Sequence, residues 1–242
     1  MQNFGSANRK NKELHPLLEK LRAGKGTQRD MAKVCDIFGD SLQTAMKTTL
    51  HVDEFSPAVM REMADKTIKP CLKQLADVVN EEAMRELRYE DKKYGINIGI
   101  RKASSEKRIE EVANKVAAVD TEERLAGIID TDVKVAPRKF YDDFQKSNAE
   151  LREELGYDQI IIRTYDDVGL HGKHEPCLFC IQREGTYDYA GASDAGVFQR
   201  HPGCGCHIEM ITNKNTRLTQ TQWNRSVDEN GNEIEGTGNQ WE

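Results

Sequence analysis

The feature that most constrains this chain is a pair of cysteine motifs in its C-terminal third. Cys177 and Cys180 form a Cys-x2-Cys motif, and after 20 intervening residues His201 opens a His-x2-Cys-x-Cys motif that ends with Cys204 and Cys206. Two thiolates at this spacing in a tight turn can reach one tetrahedral ion, and Cys-x2-Cys is the usual form of that chelate. The spacing therefore predicts one structural Zn²⁺ held by the four cysteines, with His201 as the fourth ligand if Cys206 points away.

Disulfides and redox chemistry are open alternatives for the same cysteines. The chain begins Met-Gln-Asn-Phe-Gly, without the basic start and apolar run of a secretory signal. We therefore expect a reducing cytosol, in which such spacing more often binds metal than forms disulfides. A redox Cys-x2-Cys is expected between a strand and a helix, and it does not need the second motif.

A catalytic zinc site fits the surrounding residues less well. The Pro-Cys-x2-Cys that ends at Cys180 is half of the nucleobase deaminase signature, which also needs an upstream His-x-Glu. That partner is absent, because no histidine lies between His51 and His171. The His-Glu at His174 is not followed by a second histidine at helical spacing, as metalloproteases require. Four protein ligands would leave no position for water, so we expect a structural ion and no enzymatic activity.

Composition narrows the function classes further. The chain has 242 residues, enough for one large domain or two small ones, and its net charge is −6. Proteins that hold nucleic acid by bulk electrostatics are normally basic or carry a basic stripe, whereas the lysines and arginines here are interleaved with acids. No apolar run approaches the roughly 20 residues that would span a bilayer.

Hydrophobic periodicity divides the chain near Gly156. Residues 1–156 show the 3–4 apolar rhythm of amphipathic helices, and we expect Pro70 to kink or split one of them. Residues 96–100 alternate with period two, which indicates a short strand or an extended linker. Within-chain packing is expected for the helix that follows Thr27, whereas the apolar stripe after Pro70 is a candidate docking surface for a partner.

Residues 157–212 are predicted to form a small β module, because β-branched and alternating segments flank the cysteines. The module is poor in apolar residues and would need the metal as a staple. Residues 213–242 are polar and are predicted to be an extended or partly disordered tail, although they contain Trp223 and Trp241. The fold class is thus α+β, with a mainly helical N-terminal region, a small zinc-stapled β module and an extended C-terminal tail.

The C-terminal third resembles the minor head proteins of tailed bacteriophages, in the Mu F-type head-morphogenesis family. Three elements carry the resemblance: an extended segment with Arg163-Thr164, the Cys-x2-Cys at Cys177, and the His-Pro-x-Cys-x-Cys that opens at His201. They cover residues 157–212, and a helical region precedes them, as it does in that family. The chain departs from the family pattern at Gly205, where arginine is common, and in lacking a tryptophan shortly before the first cysteine pair.

The resemblance implies a structural virion component that is made in the host cytoplasm. Such a protein would act in head assembly near the portal vertex, in contact with the portal or the major capsid protein, and several copies could surround the symmetric vertex. Some family members are also linked to retaining or delivering the packaged DNA. Two other classes stay open: a zinc-knuckle nucleic-acid-binding protein, and a zinc-dependent hydrolase or deaminase.

Overall fold

The computed structural model describes residues 12–165, 177–201, 203–217, 226–227 and 233–234. The helices are α1 (Leu14–Arg22), α2 (Gln28–Thr49), α3 (Pro57–Met63), α4 (Lys69–Tyr94), α5 (Glu106–Ala117), α6 (Glu122–Ile128), α7 (Ala136–Glu154), α8 (Leu178–Ile181) and α9 (Tyr189–Asp194). Shorter turns are a 3-10 turn at Val52–Glu54 and π turns at Ala64–Ile68 and Ile129–Val133. The strands are β1 (Tyr157–Thr164), β2 (Gly185–Asp188), β3 (His207–Arg217), β4 (Ser226–Val227) and β5 (Glu233–Ile234).

The predicted α+β class is confirmed, with helices first and a small antiparallel sheet after them. The transition falls where the apolar rhythm changes: α7 ends at Glu154, and Gly156 adopts a left-handed φ of 79° before β1 begins at Tyr157. Glycine suits this position because it has no Cβ to clash in the left-handed region. Among the described residues, none of the helices combines the length and the apolarity needed to cross a bilayer.

Helices α2, α4 and α7 form the centre of the helical region. The first turn of α2 is closed by a reciprocal cap, in which Thr27 N donates to Asp30 Oδ2 at 2.9 Å and Asp30 N donates to Thr27 Oγ1 at 3.2 Å. The apolar stripe of α4, including Leu72 and Val79, is buried in the same core. The stripe after Pro70 is therefore covered within the chain, and the docking surface predicted there is wrong.

Pro70 does not end the helix in which it lies. The π turn that precedes it joins α3 to α4, and Lys69 N bonds to the carbonyl of Ala64 five residues back. A proline ring displaces the carbonyl four residues earlier and contributes no N–H of its own. A widened turn accommodates both effects, so the interruption predicted at Pro70 takes the form of a π turn.

The alternating residues 96–100 form an extended linker and not a strand. Two buried asparagines hold the segment that follows. Asn148 of α7 accepts from Arg101 N and donates to Arg101 O, both at 2.8 Å, and Asn80 of α4 does the same with Ala103 at 3.0 and 3.3 Å. The side-chain amides thus satisfy backbone groups that a neighbouring strand would otherwise pair.

The sheet has the order β2-β1-β3, and both pairings are antiparallel. Ile161 of β1 and Met210 of β3 are paired and point into the protein, where they are 0% and 2% exposed. The hydrophobic core runs without a break from Leu14 in α1 to Met210. The sheet and the helices therefore share one core, although the sequence pattern suggested separate units.

The segment between the two cysteine motifs contains structure that the sequence did not reveal. Its Gly-, Asp- and Tyr-rich residues form β2 and the short helix α9, and Asp188 caps that helix by accepting from Gly191 N at 2.6 Å. At the other end of the sheet, β3 continues to Arg217, past the predicted end of the β module, and β4 pairs with β5. Trp223, Trp241 and most of the predicted tail lie outside the described residues.

Among the described residues no strand lies beside the outer edge of β3, and helix side chains bond to this edge. Gln28 of α2 accepts from Met210 N at 2.7 Å and donates to Met210 O at 2.6 Å. Gln145 of α7 donates to Ile208 O at 3.0 Å and to Gln28 Oε1 at 2.8 Å. These amides attach the sheet to the helical region by the hydrogen bonds that a fourth strand would make.

The close approach of α2 to the turn before α7 gives a test of the packing. A Cβ on Gly39 would lie 2.1 Å from the carbonyl oxygen of Lys134, whereas a Cβ on Gly127 of α6 would meet nothing within 4 Å. We expect G39A to lower the free energy of unfolding by about 1–3 kcal/mol, because the two backbones must separate. G127A is the matched control and should raise it by about 0.5–1 kcal/mol, as Gly→Ala does in a helix. Urea unfolding followed by circular dichroism measures both, and a G39A protein as stable as the parent would contradict the packing.

Candidate metal centre

The first cysteine motif lies on the one-turn helix α8. Cys177 immediately precedes this helix, and its carbonyl accepts from Cys180 N at 3.0 Å and from Ile181 N at 2.9 Å. This tight turn places the two sulfurs on one side of the chain. Tyr165, directly after β1, accepts from Cys177 N through its hydroxyl at 3.3 Å and so links the turn to the sheet.

The second motif forms the turn that leads into β3. Cys204 N donates to the carbonyl of His201 at 3.2 Å, and Gly203 has a left-handed φ of 73°. The left-handed residue reverses the chain, so that Cys204 lies back beside His201. Cys206 comes one residue before β3, and the start of that strand therefore fixes its position.

All five residues singled out from the sequence come together. His201 Nε2 lies 3.2 Å from Cys177 Sγ and 2.9 Å from Cys180 Sγ, and Cys180 Sγ lies 3.7 Å from Cys204 Sγ. Two groups with donor atoms within 4.8 Å share Cys180: one contains Cys177 and His201, the other Cys204 and Cys206. Sulfurs bonded to one tetrahedral zinc at about 2.3 Å lie about 3.8 Å apart. The cluster could therefore hold a metal ion.

Arg163 of β1 is the residue whose role at this site sequence reasoning missed. Its guanidinium lies 3.5 Å from Cys204 Sγ and 3.9 Å from Cys180 Sγ, and it is 1% exposed. It also donates to the carbonyl of Val197 and, at 2.7 Å, to that of Gln199. Among the described residues no carboxylate pairs with it. A buried cation needs a counter-charge, and the cysteine sulfurs are the groups placed to supply it.

Two further arginines tie the cluster to the helices. Arg200 makes a two-pronged ion pair with Asp142 of α7, and both side chains are 1% exposed. Arg138, also on α7, pairs with Asp36 of α2 at 2.6 Å through two nitrogens. Both arginines donate to the carbonyl of Cys206, at 2.7 and 3.4 Å. Each of these cations has its own carboxylate, and Arg200 also lies 3.9 Å from Cys204 Sγ. Of the three arginines, Arg163 is the one that faces the sulfurs without a carboxylate of its own among the described residues.

The neighbouring sulfurs shift each other's ionisation. A hydrogen bond from Cys206 is the largest influence on Cys204 and, with the charges of Arg200 and Arg163, lowers its pKa to about 4. Burial, followed by the charge of Cys204, raises the pKa of the Cys180 thiol to about 11. The group nearest the arginines thus ionises first, and its charge keeps the next thiol protonated. A bound dication would displace that proton, because metals bind thiolates.

The cluster is largely closed to solvent. Cys180, Cys204 and Cys206 are buried, and Cys177 and His201 are half-buried. Phe179 packs edge-on against the His201 ring at a centroid distance of 5.5 Å, with Arg183 lying over its face at 3.7 Å. Neither metal-holding group in the described part of the chain includes a carboxylate that could act as a proton-transfer group. His171 and His174 lie outside the described residues.

Comparisons of this chain with models of protein families, with curated proteins and with solved structures give no match.

The placement of Arg163 predicts how the site responds to its loss. We expect R163M to weaken binding of Zn²⁺ and Co²⁺ by about 10- to 100-fold, as is usual when a residue that supports metal ligands is removed. The matched control is R183M, since Arg183 covers Phe179 and has no described contact with a sulfur. Competition with a chromophoric chelator gives both affinities. Equal affinities in R163M and the parent protein would show that the thiolates do not depend on this cation.

Proposed function

We propose that the cluster holds one structural Zn²⁺ through Cys177, Cys180, Cys204 and His201. Soft sulfur with one imidazole is a donor set that zinc favours at structural sites. The ion would join the turn after β1 to the turn before β3, two segments that no disulfide connects among the described cysteines. Four protein ligands leave no position for a reactive water, so the site would stabilise the fold and not catalyse a reaction.

Charge balance favours His201 over Cys206 as the fourth ligand. Three thiolates, a Zn²⁺ and the Arg163 guanidinium together carry no net charge, whereas a fourth thiolate would leave a buried negative charge uncompensated. Arg200 and Arg138 do not change this balance, because Asp142 and Asp36 already neutralise them. Cys206 would then remain a thiol and donate its proton to the Cys204 sulfur, in line with the hydrogen bond between these side chains.

Two variants, H201A and C206A, distinguish this ligand set from coordination by four cysteines, because the two arrangements predict opposite effects on zinc content. Protein purified without chelator should contain close to one equivalent of zinc per chain. H201A should lose most of it, whereas C206A should keep it with a moderate loss of affinity, because only a hydrogen bond to a ligand is removed. C71S is the control, since Cys71 lies outside the cluster.

Elemental analysis and the Co²⁺ absorption spectrum, in which thiolate-to-metal bands scale with the number of sulfurs, report the outcome. Full metal content in H201A together with its loss in C206A would establish the four-cysteine site. Absence of zinc from the parent protein in every preparation would end the proposal of a zinc site.

We further propose that the chain is a minor head protein of a tailed bacteriophage. The observation that supports this is the convergence of the three elements that carry the resemblance. Arg163 lies against sulfurs of both cysteine motifs, and His201 lies against the first motif, so that all three meet at one site. In this proposal the protein is made in the host cytoplasm and enters the virion near the portal vertex, where it contacts the portal or the major capsid protein.

A zinc-knuckle nucleic-acid-binding protein is the second candidate, but the arginines at the site are poorly placed to bind phosphates. Arg163, Arg200 and Arg138 are all buried, and two of them form ion pairs with aspartates. Phosphate binding needs cations that solvent-exposed phosphates can reach. With a net charge of −6, the chain as a whole would also repel a polyanion. We therefore expect any link to packaged DNA to pass through other virion proteins.

The head-protein proposal predicts where the protein is found. Antibodies against it should detect a few copies per particle in purified virions of the phage that encodes it, and in empty heads separated from tails. A phage carrying C204S in this gene should yield fewer filled heads, whereas the matched C71S phage should assemble normally, since only Cys204 belongs to the cluster. Immunoblots of gradient fractions make the measurement. Absence of the protein from virions and heads would refute a structural role in the particle.

A further inference from the structure

A groove of about 620 Å³ lies between β3, the start of α2 and the end of α4. Its apolar lining includes Tyr94, Ile96, Ile160 and Ile211. Ile211 is 45% exposed, so part of this lining is open among the described residues. A groove of this volume can hold a small organic molecule, and the apolar lining favours one with a hydrocarbon part.

The polar side of the groove carries more carboxyl groups than cations. Both arginines that line it already form ion pairs, Arg152 with Asp91 at 2.7 Å and Arg29 with Glu209 at 2.6 Å. Glu90 also lines the groove. It accepts from an uncharged side-chain amide at 3.2 Å, and no cation among the described residues forms an ion pair with it. The groove therefore has one carboxyl group without a counter-charge of its own.

Two buried carboxyl groups beside Glu90 have unused acceptor atoms. Asp91, which lines the groove, is 5% exposed, and its Oδ1 has no hydrogen-bond partner in the described part of the chain. Glu86 lies one helical turn before Glu90 and is 3% exposed, and the same holds for its Oε1. Burial raises the pKa of all three carboxyl groups, because an ionised carboxylate is costly to bury without a cation. Buried polar atoms are nearly always bonded, so the groove calls for a donor that the described residues do not supply.

We propose that the groove binds a small alkylammonium ion. Its –NH3⁺ group would lie beside Glu90 and Asp91, and its hydrocarbon chain would cover the apolar lining. An ammonium group carries one positive charge and three N–H donors, so it can balance Glu90 and donate to Asp91 Oδ1 at the same time. The ion pair between Arg152 and Asp91 uses the other oxygen, Oδ2, and can remain in place.

Other ligand classes fit this groove less well. An anion would face the carboxyl group of Glu90, and both arginines of the lining are already paired. A bare metal ion would leave the apolar lining uncovered. Neither of the two metal-holding groups found among the described residues contains a carboxylate of the groove.

A series of three small molecules separates the contribution of charge from that of the hydrocarbon chain. Chemical-shift titrations of the ¹⁵N-labelled full chain measure the affinities of n-hexylammonium, 1-hexanol and methylammonium. We expect hexylammonium to bind about tenfold more tightly than hexanol, because a hydrogen bond to a charged group is lost in the alcohol. It should also bind about tenfold or more tightly than methylammonium, whose single carbon covers little of the apolar lining.

Two variants locate the binding. E90Q removes the charge but keeps an acceptor oxygen for the amide that bonds to it, and I211K places an ammonium group of the chain itself on the groove lining. Each should weaken hexylammonium binding about tenfold. E81Q is the control for E90Q, since Glu81 is exposed on the same helix and lies outside the groove. V59K is the control for I211K, since Val59 is similarly exposed, at 38%, and also lies outside it. Both controls should bind as the parent protein does.

Circular dichroism should be equal in all five proteins, so that a change in affinity reports the groove and not the fold. Three results would overturn the proposal: no saturable shift changes with hexylammonium, equal affinities for hexylammonium and hexanol, or an affinity that E90Q and I211K leave unchanged. The test involves neither the cysteine cluster nor a virion, and so it can fail while the proposed function stands.

Discussion

Burial of arginine guanidinium groups between the sheet and the helices is the constraint on which the rest of this structure depends. The side chains of Arg138, Arg200 and Arg163 extend toward the cysteine motifs, and all three are almost fully buried. Leaving any of these charges uncompensated would be very costly in the protein interior. The positions of Asp36, Asp142 and the sulfurs are therefore fixed together, and the cysteine cluster is oriented by the helical region.

At the edge of β3 the sheet also depends on the helices, here through uncharged glutamine side chains. Gln28 and Gln145 satisfy backbone positions that an additional strand would satisfy in a larger sheet. A small sheet is stable only when one of its faces is packed, and here the helices supply both the hydrophobic core and hydrogen bonds to the sheet edge. A metal at the cysteine cluster would thus stabilise a sheet that is already attached to a folded body, and its main effect would be on the loops between the strands.

Much of the site could be predicted from the sequence, because its ligands are set by local geometry. The spacing in Cys-x2-Cys and His-x2-Cys-x-Cys is short enough that a single turn brings each set of donors together. The helices from Thr27 to Glu154 could be predicted equally well, since apolar periodicity is a property of neighbouring residues. The end of the helical region at Gly156 could be predicted for the same reason, because a glycine after an amphipathic run is a local signal that ends a helix.

Long-range packing decided the remaining features, and no local pattern encodes it. Arg163 reads as one polar residue in a β-branched strand, and only the tertiary structure places it against sulfurs 17 and 41 residues away. The helix after Pro70 would be amphipathic whether its apolar face met a partner or the rest of the chain. The fold determined that helices of the same chain, α7 and α1 foremost, cover this face. The sequence by itself thus determined the helices, the class of fold and the set of side chains that could hold a metal ion, because these follow from spacing along the chain. The tertiary structure alone decided the counter-charge of the sulfurs, the core that the sheet shares with the helices and the glutamine contacts at the edge of β3, because these depend on which distant segments come into contact.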